Sequence, residues 1–503
     1  MKMKKTLAGL LACLTVSNSM MFSATADEAN GDVNADGNVT VSDAILVARM
    51  AVEDITVNVS APEQADVNCD GVVNGEDVTK ILRTVAKFTE PQTEPKATTN
   101  LMEGISAAAV SGKDADDAFI HGQTEFSLNL LKQAAAEEVK KEDSGNILIS
   151  PLSVVMALGM TANGAQGDTL AGMEKALGGV PIDDLDAYLL TQRQKIAEKQ
   201  LIHMANGIWF RDDGSFELPL TEFLQKNANY YDAGLYAAPF NKTTLDEING
   251  FVNTHTHEMI PEVLKIIPKE AVMILVNALA FEAEWEQQYE EYMVREREFA
   301  PYQGEKQTAE MMLSDERFYL EDENATGFAK FYKADDCGNS DYYFAALLPK
   351  EGVDIYDYVA ELDAESLHST LEKGTASMIP WNWDLTAGLP KFEYDYDIIL
   401  DESLRAMGMD LAFSDEADFG AMYEHATVED VHIGTVIHKT HIEVMESGTK
   451  AAAVTVVMMD GGCAFDPVER VQKTVILDRP FVYAIVDAET NLPVFMGTVT
   501  ELG

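Results

Sequence analysis

Two short segments near the start of the chain carry oxygen-bearing residues at the spacing that Ca²⁺ requires. Calcium takes six to eight oxygen ligands, and a twelve-residue loop supplies them from positions one, three, five, seven, nine and twelve, with glycine at position six. The ligand positions are Asp32, Asn34, Asp36, the Asn38 carbonyl, Thr40 and Asp43 in the first loop, and Asp66, Asn68, Asp70, the Val72 carbonyl, Asn74 and Asp77 in the second. One such loop could be a solvated acidic turn, but two in phase predict two bound Ca²⁺ ions.

The rest of the chain has no recognisable pattern of catalytic residues. It lacks the H-E-x-x-H zinc motif, the G-x-S-x-G nucleophile turn and the glycine-rich phosphate loop. Cys463, which follows Gly461 and Gly462, could act as a nucleophile, although no basic residue lies near it in the sequence. We therefore predict that the protein is not an enzyme.

Residues 445–456 have the composition of a segment that can move between a loop and a strand. They read Met-Glu-Ser-Gly-Thr-Lys-Ala-Ala-Ala-Val-Thr-Val, so Gly448 supplies a permissive backbone and small, β-compatible side chains follow it. The segment's Val, Thr and Ala residues include no proline and no large polar group that would block ladder hydrogen bonds or close packing. The alternative is a strand that never moves, and these residues alone leave both possibilities open.

The length of the chain indicates how many domains it has, and its net charge limits the kinds of partner it can bind. A chain of 503 residues exceeds one ordinary hydrophobic core, so at least two domains are expected. The formal net charge of −49 opposes binding to phosphates and to anionic membrane surfaces, which argues against nucleic acid as a partner. The same acidity favours solubility and divalent cations.

Residues 1–26 predict a secretory signal peptide. A basic start is followed by the apolar run Leu7–Val16 and by Ala24-Thr25-Ala26, with cleavage expected after Ala26. That run is too short to span a bilayer, and no later run is long enough, so we predict a secreted protein with no membrane span. Of the four cysteines, Cys13 leaves with the signal, and the remaining three are too scattered to indicate a disulfide framework.

Helices must position the two calcium loops, and the sequence predicts one helix after each, over Ala44–Val52 and Val78–Phe88. No entering helix fits before either loop, so a sensor EF-hand with paired helices is disfavoured. Proline and polar residues over Thr89–Asn100 predict a semi-extended tether, and with further slack to about Asp116 the linker is assigned to residues 89–116. Residues 117–503 mix helical patterns, such as Val154–Ala162, with strand-like runs, such as Ala271–Leu279, and predict one large α+β domain with long sheets.

The duplicated loop–helix units over Gly31–Phe88, with Asp at position twelve of each loop, resemble the dockerin family. The resemblance implies a small all-α domain, assigned to residues 27–88, that docks onto a cohesin of a scaffoldin in an extracellular, cellulosome-type fibre-degrading complex. The family's contact positions correspond here to Val41, Ser42, Arg49, Gly75, Glu76 and Arg83. The two copies differ at these positions, which disfavours a symmetric, two-way docking mode.

The large domain resembles the serpin family across nearly its whole length. The motifs that carry this resemblance occur in the family's order and spacing: Asn146–Ser153, Leu275–Trp285, Leu389–Phe392, Met407–Met409, Ala417–Phe419, His438–Thr440, Arg479–Phe481 and Phe495–Gly497. The resemblance implies a fold of three β-sheets with about eight or nine helices and an exposed reactive loop. It also implies a function, inhibition of a protease.

Site residues follow from the serpin resemblance by position. Ser150, Ser153, Asn277 and His438 are expected to form a polar shutter beneath the central sheet, with Trp285 at its top, where the loop enters. The expected hinge comprises Glu446, Gly448, Thr449, Ala451, Ala452, Ala453 and Thr455. The expected reactive bond joins Gly462 and Cys463, although the loop is longer than usual, so cleavage near Phe465 or Arg470 stays open.

The resemblance implies suicide inhibition, in which a cleaved loop inserts as a strand and carries the acylated protease with it. Insertion buries alternate residues, and the inward set, Thr449, Ala451, Ala453 and Thr455, is uniformly small. Glycine before the bond favours subtilisin-like or elastase-like serine proteases, with a papain-like cysteine protease as a further candidate. The alternative is a non-inhibitory, docked serpin that acts as a structural or binding module.

Overall fold

A computed structural model of the chain describes residues 31–35, 39–52, 59–68, 72–85, 97–142, 144–213, 218–269, 271–334, 340–423, 431–449 and 470–502. The chain divides into two compact units, Met1–Pro95 and Lys96–Gly503. Among the helices in these ranges, none is both long enough and apolar enough to cross a membrane.

The first unit contains two helices of equal length, α1 (Val41–Ala51) and α2 (Gly75–Val85), with a 3₁₀ turn over Pro62–Gln64. Its core consists of small and branched side chains from both helices and from the loops before them, namely Val33, Ala44, Val47, Ala65 and Ile81. Both helices begin three residues earlier than the sequence predicted. Thr40 caps α1, since its side chain accepts a hydrogen bond from the Ser42 N–H and its backbone N–H donates to the Asp43 carboxylate.

The second unit contains nine further α-helices in its described part. They are α3 (Asp117–Glu138), α4 (Pro151–Ala162), α5 (Gly167–Ala176), α6 (Ile182–Lys199), α7 (Thr221–Tyr231), α8 (Lys242–His255), α9 (Ile355–Glu361), α10 (Ala364–Thr375) and α11 (Asp401–Leu404). A π-helical turn over Arg405–Met409 and a 3₁₀ turn over Asp410–Phe413 follow α11. A further 3₁₀ turn covers Glu291–Met293.

In the described part of the second unit, the strands form four hydrogen-bonded sheets. They are β1 (Thr99–Asn100), β2 (Ile147–Ile149), β3 (Ile202–Arg211), β4 (Gly234–Ala238), β5 (Met273–Phe281), β6 (Ala283–Glu284), β7 (Val294–Phe299), β8 (Gln307–Glu316), β9 (Phe318–Glu321), β10 (Ala325–Phe331), β11 (Tyr342–Pro349), β12 (Trp383–Pro390), β13 (Phe392–Ile399), β14 (Ile437–Met445), β15 (Gly448–Thr449), β16 (Val471–Ile476), β17 (Phe481–Asp487) and β18 (Pro493–Val499). A six-stranded sheet has the order β2-β18-β17-β11-β10-β9, and a four-stranded sheet has the order β16-β12-β8-β7.

The other two sheets, β1-β4-β3-β5 and β13-β14-β15-β6, are the two halves of one larger sheet, which we call the central sheet. A parallel bridge between Leu275 and Val436 joins the halves at one end, and β15 lies between β14 and β6 at the other. In the described residues, β5 and β14 share no longer ladder than this bridge. The central sheet therefore has two neighbouring strand edges whose backbone groups are available to a further strand.

Part of the segment predicted to be a linker packs against the second unit. Thr99 and Asn100 add a short antiparallel strand to the edge of β4, and the Leu101 N–H donates to the Leu235 carbonyl at 2.8 Å. Further along, the Lys113 N–H donates to the Ala187 carbonyl on α6 at 3.0 Å. The composition of this segment favoured a tether, but the unpaired edge of β4 provides a hydrogen-bonding partner that composition does not reveal.

Candidate functional site

The Ca²⁺ loops of the first unit are built around their position-twelve carboxylates. Both Asp43 and Asp77 are fully buried, and each accepts hydrogen bonds from two backbone N–H groups of its own loop. Burial alone would raise the pKa of the Asp43 carboxyl, but the hydrogen bonds from Thr40 and Asn34 hold that pKa below its ordinary value. A carboxylate that remains ionised inside a closed loop of oxygen donors suits a hard divalent cation.

Of the twelve predicted ligand positions, Asp36, Asn38 and Asp70 lie outside the described residues. The others lie in the two loops at the start of α1 and α2, where Asp32, Asn34, Thr40, Asp66, Asn68, Val72 and Asn74 would hold Ca²⁺ together with Asp43 and Asp77. The donor set therefore fits calcium.

The predicted cohesin-contact residues lie at the first turns of the two helices and further along them. Val41, Ser42 and Arg49 on α1 are exposed, as are Gly75 and Glu76 at the start of α2. Arg83 lies on α2. Ile45 on α1 and Val52 directly after it are also exposed, and the second repeat has Thr79 at the position that corresponds to Ile45.

The predicted shutter residues form one buried hydrogen-bonded network at the start of α4. Ser150 caps the helix, and its backbone N–H donates to Nε2 of His438 on β14 at 2.9 Å. The Ser153 hydroxyl donates to the Asn277 side chain on β5, and the Asn277 amide donates in turn to Asn206 on β3. The start of α4 therefore contacts both halves of the central sheet.

Burial in this network lowers the pKa of His438 to about 4, so the imidazole is neutral at physiological pH. A neutral ring with Nε2 as acceptor matches the hydrogen bond from Ser150. In the unfolded chain the pKa of His438 returns to about 6.5, so the unfolded state binds a proton below that pH. The folded state binds this proton only below about pH 4. Stability from this group is thus complete above pH 6.5 and is lost as the pH falls toward 4.

We expect the His438→Gln variant to lose less stability than the wild type on acidification, because glutamine can accept the Ser150 hydrogen bond without titrating. The differential should be about 3 kcal/mol between pH 7.5 and 4.5, given the pKa shift. Urea unfolding midpoints of both proteins at the two pH values measure it. Parallel losses in the two proteins would contradict the role given to His438, since carboxylates elsewhere titrate in both.

Two residues of the predicted hinge lie inside the central sheet. Gly448 and Thr449 pair with Met445 and Val444 of β14 on one side and with Glu284 and Ala283 of β6 on the other. A Cβ atom on Gly448 would lie 2.0 Å from the Ala283 carbonyl oxygen, so only glycine fits at that position. Gly448 and Thr449, which follow Glu446 in the predicted hinge, therefore already form a strand.

Thr449 faces inward at the start of the path that an inserted strand would take. Its side chain is 2 % exposed, and its hydroxyl lies 2.7 Å from the hydroxyl of Tyr332. Tyr332 stacks on Trp285, whose indole N–H donates to the Met445 carbonyl at 2.9 Å. Trp285 thus lies at the end of the central sheet where β15 enters.

An ion pair fixes the side chain of Glu446, the first residue of the predicted hinge. The Lys391 ammonium lies 2.5 Å from the Glu446 carboxylate and 3.3 Å from that of Glu310. Hydrogen bonds to Glu446 and Glu310 raise the pKa of Lys391, although partial burial opposes this. The Glu446 carbonyl also accepts the Tyr289 N–H at 3.0 Å, so both its side chain and its backbone are fixed.

The remaining predicted hinge residues, Ala451, Ala452, Ala453 and Thr455, and the predicted reactive bond at Gly462 and Cys463 lie outside the described residues. Sequence reasoning missed Asn206, Tyr332 and Lys391, all of which contact predicted site residues. For Lys391 a signal was present, since it lies inside the Leu389–Phe392 motif. Asn206 lies on β3 and Tyr332 directly follows β10, and neither is marked by a distinguishing sequence pattern.

Comparison with known proteins identifies both units. The family model described as Serpin (serine protease inhibitor) matches residues 121–502, and the model described as Dockerin type I domain matches residues 30–86. The leukocyte elastase inhibitor of Bos taurus is 30% identical, with 71% of this chain and 93% of that protein covered. Serpin B8 of Homo sapiens is 28% identical, with 74% and 96% covered.

The fold is likewise found among solved structures. The native state of the thermophilic serpin tengpin matches with a TM-score of 0.72 and 41% identity, covering 81% of this chain and all of that one. Tengpin in its latent state matches with a TM-score of 0.64 and 37% identity, covering 78% of this chain and all of that one.

Proposed function

Because the chain belongs to the serpin family and carries a type I dockerin domain, we propose that it is a secreted inhibitor that traps a protease irreversibly while docked on a cohesin-bearing complex. The family membership makes it a protease inhibitor and not an enzyme. The observation that carries the finer proposal is the hinge, where Gly448 and Thr449 already pair with both neighbouring strands.

The chemistry of trapping belongs to the protease. Its serine hydroxyl, or cysteine thiol, attacks the carbonyl carbon of the residue before the scissile bond, here Gly462. The peptide C–N bond breaks, an ester or thioester joins the protease to Gly462, and Cys463 leaves as a new amino terminus after accepting a proton. Trapping then requires that the segment after Thr449 insert between β5 and β14 before water hydrolyses the acyl bond.

Three features of this chain support rapid insertion. The neighbouring edges of β5 and β14 share a single bridge in the described residues, so few backbone hydrogen bonds must break. The first inward residue, Thr449, is small and already buried. The chain that follows, Lys450 to Val456, has small side chains at the inward positions.

The direct test is incubation with subtilisin, pancreatic-type elastase and papain, followed by denaturing gels and mass spectrometry. A band at the summed mass of inhibitor and protease, resistant to denaturation, supports trapping, and the released carboxy-terminal peptide identifies the bond. The name of the bovine relative supports an elastase-like enzyme among the targets. Cleavage without a trapped band would instead favour a non-inhibitory, docked serpin acting as a structural or binding module.

Docking is proposed to depend on two Ca²⁺ ions. When bound, Ca²⁺ would fix the loops that set the first turns of α1 and α2, where the exposed contact residues lie. The differing copies, with Val41, Ile45 and Val52 exposed on α1, support docking in one orientation. We propose that the inhibitor docks on an extracellular cellulosome-type complex, where it would protect neighbouring fibre-degrading enzymes from proteolysis.

Removal of calcium should abolish docking and leave inhibition intact. We expect EDTA, or the paired change Asp43→Ala with Asp77→Ala, to weaken binding to an immobilised type I cohesin by at least about a hundredfold, because each aspartate closes its loop. Surface plasmon resonance measures the affinity. The trapped-complex assay on the same samples is the control, and unchanged cohesin binding in EDTA would contradict the calcium requirement.

A further inference from the structure

An apolar surface patch lies beside the point where the chain returns from the reactive loop. It comprises Met378, Trp381 and Val471, whose side chains are 58, 76 and 40 % exposed, and we call it the exit patch. Single exposed apolar residues are common, but Met378 and Trp381 share one short connection and Val471 pairs with Trp383 at its end, so these exposed side chains lie on neighbouring backbone and form a candidate contact surface. Val471 is tied to the turn that carries Trp381, because its N–H donates to the Asn382 carbonyl at 2.9 Å.

The turn that carries Trp381 is held rigidly between α10 and β12. The Ile379 N–H donates to the Arg317 carbonyl at 2.7 Å, and the Trp383 N–H donates to the Pro380 carbonyl at 2.8 Å. Beneath it, β12 pairs with β8 on one side and with β16 on the other. A binding surface that is already ordered loses little conformational entropy when a partner covers it.

The Lys473 ammonium adds to this rigidity, since it lies 4.6 Å from the centre of the Tyr319 ring and 5.0 Å from that of Trp383. Two aromatic rings and a strand pairing thus anchor the residues that flank the exit patch. Trp381 itself points away from this packing, as its exposure shows.

The short chain distance between the exit patch and the predicted reactive bond limits what could cover the patch. Strand β16 starts at Val471, directly after the loop residues, and the chain from Cys463 to Arg470 can span at most about 25 Å. A protease of 250 residues has a radius of gyration of about 18 Å, so an enzyme bound at the Gly462–Cys463 bond would extend over this distance. The part of the protease that would reach the exit patch is the surface beside the primed side of its substrate cleft, which holds the residues after the scissile bond.

We propose that the exit patch is a second contact surface for the protease that the reactive loop captures, and that it speeds formation of the initial complex. The inference rests on the proposed inhibitory function. The proposed contact requires a protease with an apolar surface next to the primed side of its active-site cleft. Trp381 would then discriminate among proteases that cleave the same type of bond. Tryptophan at the centre of a small apolar patch is the residue type that most often dominates an interface.

The test is the second-order association rate constant with the protease that gives the trapped complex. Trp381→Ala should lower it about tenfold, and Met378→Ser should lower it less, while the stoichiometry of inhibition stays unchanged, because insertion uses the central sheet and not the exit patch. Ile399→Ala is the matched control: Ile399 is 59 % exposed on β13, away from the loop exit, and its loss should change neither quantity.

An unchanged association rate in Trp381→Ala, with normal trapping by the wild type, overturns the inference alone. If the wild type traps no protease, the proposed inhibitory function is wrong, and the inference, which rests on it, is wrong as well. If Trp381→Ala abolishes a concentration-dependent dimer in sedimentation while the association rate is unchanged, a second copy of the chain covers the patch, and the protease assignment is wrong. Equal slowing by Ile399→Ala would show a general surface effect and also overturn it.

Discussion

Replacing Thr449 with arginine is expected to convert the inhibitor into a substrate. The Thr449 side chain is 2 % exposed and touches Tyr332, so an arginine there would either be buried without a partner or be expelled with the hinge. An insertion barrier raised by only about 3 kcal/mol slows insertion roughly a hundredfold, which gives water time to release the acylated protease.

The measurement is the stoichiometry of inhibition, taken from residual protease activity at increasing inhibitor ratios and from the trapped band on denaturing gels. Thr449→Arg should give cleaved inhibitor and free, active protease. Thr449→Val is the matched control, because it keeps size and β-branching and loses only the hydroxyl contact with Tyr332. Efficient trapping by Thr449→Arg would contradict the mechanism, since the first inward position would then tolerate a buried charge.

Cleavage of the reactive loop is expected to raise the thermal unfolding midpoint of the second unit by about 20 °C or more. The neighbouring edges of β5 and β14 are joined by one bridge in the described residues, and a strand inserted there would gain hydrogen bonds on both sides. Since each kcal/mol of added stability shifts the midpoint of a large domain by about 2–4 °C, a gain of only 10 kcal/mol reaches this value.

Calorimetry of the intact and nicked proteins, after limited proteolysis in the loop, measures this shift. The first unit must be followed separately, for instance by repeating the scan in EDTA, because its unfolding depends on calcium. Nicked Thr449→Arg should show little of the gain, since its hinge cannot enter. Identical midpoints for intact and nicked wild type would mean that the loop stores no insertion energy, and the non-inhibitory alternative would then be preferred.

Much of the fold could be predicted from the sequence because local patterns specify elements strongly. The apolar run Ala271–Leu279 predicts a buried strand, and the structure has one at Met273–Phe281. The predicted helix over Val154–Ala162 extends back to Pro151 because Ser150 caps it and proline suits a first helical turn. The boundaries of the elements were predicted less accurately than the elements themselves, because the start of a helix depends on capping contacts of individual side chains.

Sequence alone determined the oxygen-ligand spacing of the calcium loops and the family of the large domain, because both are carried by residue types at fixed separations. Only the tertiary structure decided which groups meet: that Ser150 reaches His438, that Tyr332 faces Thr449, and that Thr99 and Asn100 pair with the edge of β4. These contacts join residues far apart in the chain. Their geometry depends on how the strands pack, and no local pattern encodes that packing.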